Sequence, residues 1–253
     1  MAKARRPLTL AVAVREAHPE LEDAEGAIRA GRVRVDGVVR NNPAALVRPD
    51  AAVLVSGPAL LRGEAKLRAA LAAFDVAVAG RVALDVGAAA GGFTKALLAA
   101  GARRVYAVDA GYGQLLGSLR QDPRVVNLEA TNLGALSPAL VPEPVEVFTV
   151  DVSYLSLTHA VPQLSRVKIA ADADLIALVK PMFELRLGAP PADAERLEAA
   201  RRTAIAGVEA AGWRVVASIP SPLPGARGAR EFLVHARRVV DGATEPPPGT
   251  AAP

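Results

Sequence analysis

Three short runs hold the residues whose types and spacing could do chemistry. The first, Asp85-Val-Gly-Ala-Ala-Ala-Gly91-Gly92-Phe93, sets a carboxylate and a small-residue loop between an apolar run and a helical one. At such a strand-to-helix turn the backbone comes close to a bound nucleoside, and Gly87 and Gly91 permit that approach. Asp109 ends the next apolar run 24 residues after Asp85, where a carboxylate can accept hydrogen bonds from a ribose diol. Within the loop, Ala88 and Ala89 precede Gly91; Ala89 stands where a dinucleotide fingerprint prefers glycine, which favours a ligand without a pyrophosphate. The loop alone divides between dinucleotide oxidoreductases, adenosyl-sulfonium methyltransferases and tight turns with no ligand.

The second run, Val150-Asp151-Val152-Ser153, and the third, Leu178-Val179-Lys180-Pro181, put a carboxylate and a cation at the ends of two further apolar stretches. In an open α/β sheet those carboxyl ends border the ligand crevice, so Asp151 and Lys180 lie near enough to couple. Glu231 opens the last apolar stretch after the loop from Ser221 to Arg230. A lone lysine ending a strand snorkels to solvent. The company of two carboxylates marks Lys180 as a candidate catalytic group.

The elements that must position these groups alternate along the chain. Apolar strands are expected at Val82 to Val86, Arg104 to Val108, Val125 to Leu128, Val145 to Val150 and Ala173 to Val179, and helices from about Gly92, Tyr112 and Leu155. Such alternation predicts a parallel sheet with helices on both faces. Leu67, Ala70, Leu71 and Phe74 recur at helical spacing over residues 64–74, with Lys66 at the margin of the buried stripe. A helix at about Ala192 to Ala211 precedes Arg214 to Ile219 and Glu231 to His235; these two strands, joined without a helix, imply an antiparallel strand near the sheet edge. Trp213 and the alanine-rich helix are expected to pack in the core. Residues 1–55 form a small module, two helical stretches and a hairpin around Asp36-Gly37; 56–63 read as a linker, 64–240 as the α/β domain and 241–253 as a disordered tail.

Composition narrows the function classes. The formal charge is +4, and residues 1–62, with 10 Lys/Arg against 7 Asp/Glu, carry three of those charges, a bias that suits a polyanionic partner. The lack of cysteine excludes disulfides, thiolate metal sites and cysteine nucleophiles, and three scattered histidines make no metal cluster. No apolar run approaches the roughly 20 residues of a membrane helix. The opening Lys3, Arg5 and Arg6 before Leu8 to Val14 imitate a signal peptide, but that stretch runs straight into Arg15 and Glu16, so the cytoplasm is the expected location.

Together the runs at 85–94, 105–115 (Val-Tyr-Ala-Val-Asp-Ala-Gly-Tyr-Gly-Gln-Leu), 151–157 (Asp-Val-Ser-Tyr-Leu-Ser-Leu), 178–184 (Leu-Val-Lys-Pro-Met-Phe-Glu), 221–225 (Ser-Pro-Leu-Pro-Gly) and 231–233 (Glu-Phe-Leu) closely resemble the TlyA family, across nearly the whole chain. Its members, often labelled haemolysins, look like FtsJ-type ribose 2′-O-methyltransferases of ribosomal RNA behind an S-four-type RNA-binding domain. The resemblance implies a Rossmann-like class I methyltransferase sheet preceded by a small α+β RNA-binding domain, with cytidine as the methylated nucleoside. It carries a Lys-Asp-Lys-Glu tetrad onto Lys66, Asp151, Lys180 and Glu231. It implies S-adenosylmethionine as methyl donor, held by Asp85, Gly87, Ala88, Ala89, Gly91, Phe93, Asp109, Asp151 and Thr131-Asn132. Ribosomal RNA or a ribosomal subunit is the implied partner, met by Arg29, Arg32, Arg34 and Arg40, and neither metal nor membrane is required. The chain departs from the family in lacking an Arg-Leu-Asp opening, in acidic Glu22-Asp23, and in the shorter Leu185-Arg-Leu-Gly-Ala-Pro-Pro191 after Glu184.

On this reading Lys180 either steadies a forming alkoxide as an ammonium or accepts the hydroxyl proton, and Asp151 and Glu231 orient the lysines. Rival readings are a nicotinamide oxidoreductase, an RNA-binding or chaperone-like module with a silent methyltransferase fold, and a membrane-lytic haemolysin. Tyr112 either stacks on an adenine or packs.

Overall fold

The computed structural model describes residues 7–21, 23–29, 31–55 and 61–239. The expected tail 241–253, most of the expected linker (56–60), Glu22 and the basic opening lie outside the described residues. The chain divides into two units, residues 1–60 and 61–253.

In the first unit, β1 (Leu8–Thr9), α1 (Leu10–Ala17) and α2 (Ala24–Arg29) precede β2 (Val33–Val35), β3 (Val38–Arg40), β4 (Leu46–Val47) and β5 (Val53–Val55). A three-stranded antiparallel sheet runs β3-β2-β5, and β1 pairs with β4. Asp36 and Gly37 both take positive φ (50° and 80°), the geometry that a two-residue hairpin turn demands. Leu10, Val14, Ile28 and Val33 are fully buried and form the unit's core.

The second unit is built on α3 (Arg62–Phe74), β6 (Val82–Val86), α4 (Gly92–Ala99), β7 (Arg104–Val108), α5 (Gly117–Arg120), β8 (Val125–Leu128), β9 (Val145–Val150), α6 (Leu157–Ala160), β10 (Ile169–Val179), α7 (Pro181–Glu184), α8 (Ala194–Ala210), β11 (Trp213–Pro220) and β12 (Phe232–Arg238). Seven strands form one sheet in the order β11-β12-β10-β9-β6-β7-β8, in which β12 runs antiparallel to both neighbours. Strand alternation sorts side chains between two cores. Leu84, Phe148, Leu175 and Trp213 pack with Leu157 of α6 and Val208 of α8, while Ala83, Val147, Ile176 and Leu233 pack with Leu67 of α3 and Leu97 of α4. Helices therefore cover both faces, as a parallel sheet requires.

Three expectations need correction. Arg62 and Gly63 belong to α3 rather than to a linker. Instead of a helix from Tyr112, the chain stays a loop until Gly117, because Glu129 Oε1 captures the Gln114 and Leu115 amides (2.6 and 3.0 Å) and Gly111 and Gly113 disfavour helix there. The helix expected near Leu155 to Ser165 is α6 followed by a 3₁₀ stretch, Val161–Arg166, since Pro162 lacks the N–H that an α-helix needs.

Candidate active site

Register brings the strand ends together. Val86 pairs with Val150 and Ala177 with Val150, so Gly87, Asp151 and the end of β10 share one edge. The antiparallel pairing of Val179 with Phe232 brings the start of β12, and hence Glu231, to the same edge beside Lys180. Lys66, in the second turn of α3, reaches that edge from the helical layer.

The four tetrad residues meet as two ion pairs. Lys180 Nζ lies 2.6 Å from Asp151 Oδ1 and donates to Ser153 Oγ at 2.7 Å. Lys66 Nζ donates to Glu231 Oε2 at 2.5 Å. Lys66 and Glu231 are 7% and 5% exposed, Lys180 and Asp151 16% and 23%, so the second pair is the one open to substrate and water. Arg62 donates to the carbonyl oxygens of Pro224 and Gly225, tying the loop 221–230 to α3. A side chain at Gly225 would collide with the Glu231 carboxylate, so glycine there lets the loop close over it.

Two cavities meet at Ser153, beside the Lys180–Asp151 pair. One, of about 310 Å³, is lined by Gly87, Ala89, Asp109, Thr131, Asp151 and Tyr154 among others. Gly87 has φ +87°, and a Cβ there would strike the Asp151 backbone carbonyl, so only glycine lets the first loop lie against the Asp151 strand end. Asp109 Oδ2 accepts the Ala89 N–H (2.8 Å) and Oδ1 the Gly111 N–H (2.7 Å), which leaves each oxygen a further lone pair. Ala89 is itself left-handed (φ 46°), held there by the Asp109 bond.

The other cavity, of about 340 Å³, is lined by Lys180, Met182, Phe183, Arg227 and Glu231, and Ser153 borders both. The Lys180 ammonium thus lines the 340 Å³ cavity while its two partners, Asp151 and Ser153, line the 310 Å³ one, which leaves it a remaining N–H for a group in its own cavity.

Several expected cofactor contacts fall elsewhere. Asp85 is fully buried and lines neither cavity: alternation turns it toward α4, where it accepts from Thr94 Oγ1 (2.6 Å) and Thr149 Oγ1 (2.9 Å). Burial pushes its carboxyl up to about 6, against those two hydrogen bonds. Gly91 caps α4 from outside the helix with φ +93° against Leu115 and Leu119, and Asn132 precedes a 3₁₀ turn; neither lines the 310 Å³ cavity. Ala88 and Phe93 line a neighbouring cavity with Arg62, Gly63 and Asp151.

The model of the FtsJ-like methyltransferase family matches residues 60–238. The chain is 41% identical over 225 residues to the Mycobacterium tuberculosis 16S/23S rRNA (cytidine-2′-O)-methyltransferase TlyA, covering 85% of this chain and 84% of that one. This chain belongs to the TlyA family of FtsJ-like methyltransferases. It is also 32% identical to Hemolysin A of Brachyspira hyodysenteriae, covering 84% of this chain and 91% of the relative. The solved structure of a Streptococcus thermophilus protein assigned as a hemolysin superposes with a TM-score of 0.69 at 30% identity, over 92% of this chain and 89% of that one. TlyA membership decides between the two nucleoside chemistries left open by the Asp85 loop in favour of methyl transfer. Among the described residues no helix is long and apolar enough to cross a membrane.

Sequence reasoning passed over Ser153, Arg62 and Phe183. Ser153 was legible, since it lies two residues beyond a strand-end carboxylate; Arg62 looked like linker because its partners are carbonyls 162 and 163 residues away. Of the four arginines expected to meet RNA, Arg29 pairs with Glu25 (3.0 Å) and Arg34 donates to the Gly37 carbonyl (3.0 Å). Arg34 pairs with Val39 and Leu54, and Arg40 with the buried Val33, so the two side chains leave opposite faces of the small sheet. Arg32 stands half-buried at its start.

Proposed function

We propose that this protein transfers a methyl group from S-adenosylmethionine to a ribose 2′-hydroxyl of ribosomal RNA, cytidine being the nucleoside, and acts in the cytoplasm with the ribosomal RNA or subunit as partner. The observation that carries this reading is the Lys180 ammonium, which lines the 340 Å³ cavity and is held by Asp151 and Ser153, the residues that line the adjoining 310 Å³ one. The 310 Å³ cavity fits the donor: the Gly87–Ala89 backbone, with its glycine cradle, Asp109 with its free lone pairs, and Thr131 would hold it. When bound, the donor supplies a sulfonium methyl that is already activated, so no metal is needed.

A ribose hydroxyl is a weak nucleophile at neutral pH and must be aligned and relieved of its proton. Lys180, as ammonium, directs its remaining N–H at the 2′-oxygen and stabilises negative charge as it develops. As the new C–O bond would form and the sulfonium C–S bond break, with the neutral thioether leaving, the hydroxyl proton would go to water or to the partly open Asp151 carboxylate, since an ammonium cannot accept it. Lys66 and Glu231, shielded behind it, hold the start of β12 against α3, and Glu231 shapes the acceptor wall. The first unit brings the RNA backbone through some of Arg29, Arg32, Arg34 and Arg40, with Arg34 and Arg40 on opposite faces of its sheet.

The test is methyl transfer from labelled S-adenosylmethionine to ribosomal subunits, with ribose methylation mapped in cells with and without the gene. Transfer to a ribose 2′-oxygen supports the assignment. A protein that binds donor and RNA but transfers nothing is instead a silent methyltransferase fold.

A further inference from the structure

Two arginines beside the acceptor cavity sit in a backbone conformation that suits glycine. Arg186 has φ 52° and Arg227 φ 55°. Arg186 follows α7: its N–H donates to the Phe183 carbonyl (3.3 Å) and that of Leu187 to the Met182 carbonyl (2.8 Å). These are the two bonds of a helix terminus whose left-handed position is ordinarily glycine. Arg227 lies in the turn 226–228, immediately before Gly228 (φ 76°), although glycine would have served at both places. Both arginines are exposed, and among the described residues neither guanidinium has a hydrogen-bond or ion-pair partner. Arg62, Lys66 and Lys180 at this edge are engaged, with carbonyls or carboxylates, and Arg230, though exposed, lacks the left-handed backbone of Arg186 and Arg227.

Their placement is paired. Arg227 lines the 340 Å³ cavity with Lys180, and Arg186 lines a separate one of about 330 Å³ with Tyr154 and His159. Met182 and Phe183 line both, forming the wall between them. Strained non-glycine residues persist where the surrounding structure over-determines them, often at functional sites, and unpaired guanidinium groups beside two adjoining cavities suit phosphodiesters.

We infer that Arg186 and Arg227 form a phosphate clamp on single-stranded RNA: Arg227 takes the phosphate of the nucleotide at Lys180, and Arg186 that of a neighbouring nucleotide beyond the Phe183 wall. This rests on the RNA-methylating reading above. The clamp belongs to this chain's own loop after Glu184, and it sets how the strand is threaded rather than the methyl transfer itself.

The test uses the full chain with Arg186→Gly, Arg227→Gly and the double variant. Glycine relieves the backbone while removing the cation, so each variant should melt at or above the wild-type temperature. Affinity for transcribed ribosomal RNA should nonetheless fall about 10-fold per arginine, and the slope of log K against log salt should lose about 0.7 for each single-strand contact. S-adenosylmethionine affinity by calorimetry should not change, and Arg186→Lys should keep the salt slope. Glycine variants with wild-type RNA affinity and slope would overturn the clamp. Since binding is read apart from transfer, a wild type that binds RNA with this salt dependence but methylates none would defeat the methylating reading and leave the clamp supported. A wild type that binds no RNA would defeat both.

Discussion

Lys66 Nζ lies 2.5 Å from Glu231 Oε2, although 165 residues separate them, and both side chains are nearly shielded from water. The pair fastens α3 to the first turn of chain before β12. Removing either partner leaves a buried charge uncompensated, which costs about 3–5 kcal/mol, whereas replacing both by apolar residues of similar size is close to neutral. Glu231→Ala should therefore unfold at markedly lower urea, and Lys66→Met with Glu231→Leu should recover most of the loss without recovering methyl transfer. Equal stability of Glu231→Ala and wild type would show that the pair does not hold the helix.

Lys180 should behave differently, being partly open and at a strand end. Lys180→Ala is expected to keep the fold and donor affinity but to slow methyl transfer by about 100-fold or more at saturating donor. Lys180→Arg should not rescue the rate, because a planar fork does not reproduce the compact ammonium between Asp151 and Ser153. Wild-type turnover in Lys180→Ala would remove the lysine from the mechanism.

Asp109 holds two loops through the Ala89 and Gly111 amides. Asp109→Ala should weaken S-adenosylmethionine binding by about 1–3 kcal/mol in calorimetry, and Asp109→Asn, which keeps one acceptor oxygen, by less. Unchanged affinity in Asp109→Ala would take this residue out of the donor site.

Ala89 offers the converse experiment. Its φ of 46° strains any residue with a Cβ, so Ala89→Gly should gain about 1 kcal/mol in urea denaturation while the amide still donates to Asp109. A loss of stability would mean that the alanine methyl is needed for packing.

Glu184 makes a pH prediction. It is buried, its Oε1 accepts the Leu157 N–H (2.8 Å), and burial raises its carboxyl to about 7 from the ordinary 4.5. The folded state thus binds the proton more tightly than the unfolded state, so the contribution is fully present below about 4.5 and is lost as pH rises through about 7. Glu184→Gln should match wild type near pH 4 and exceed it at pH 8 by roughly 3 kcal/mol at most. Parallel stability curves for the two proteins would contradict the raised carboxyl.

Asp151, Lys180 and Glu231 are legible as strand-end groups because apolar runs stop at the first two and one starts after the third, and chain order already implies a parallel sheet. Family likeness added Lys66, whose place at the margin of a helical stripe has no chemistry of its own. The glycine-rich loop and Asp109 were legible for the same local reason: turn chemistry and strand ends are written within a few residues. Which cation meets which carboxylate was not, since Lys66–Glu231 and Lys180–Asp151 depend on register between strands far apart in the chain. Only the folded sheet turned Asp85 inward, because alternation assigns a face but the covering helix decides what that face touches. The left-handed state of Arg186 and Arg227 likewise appears only once the α7 terminus and the 226–228 turn have formed, for φ is set by the hydrogen bonds that close those turns and not by the arginine itself.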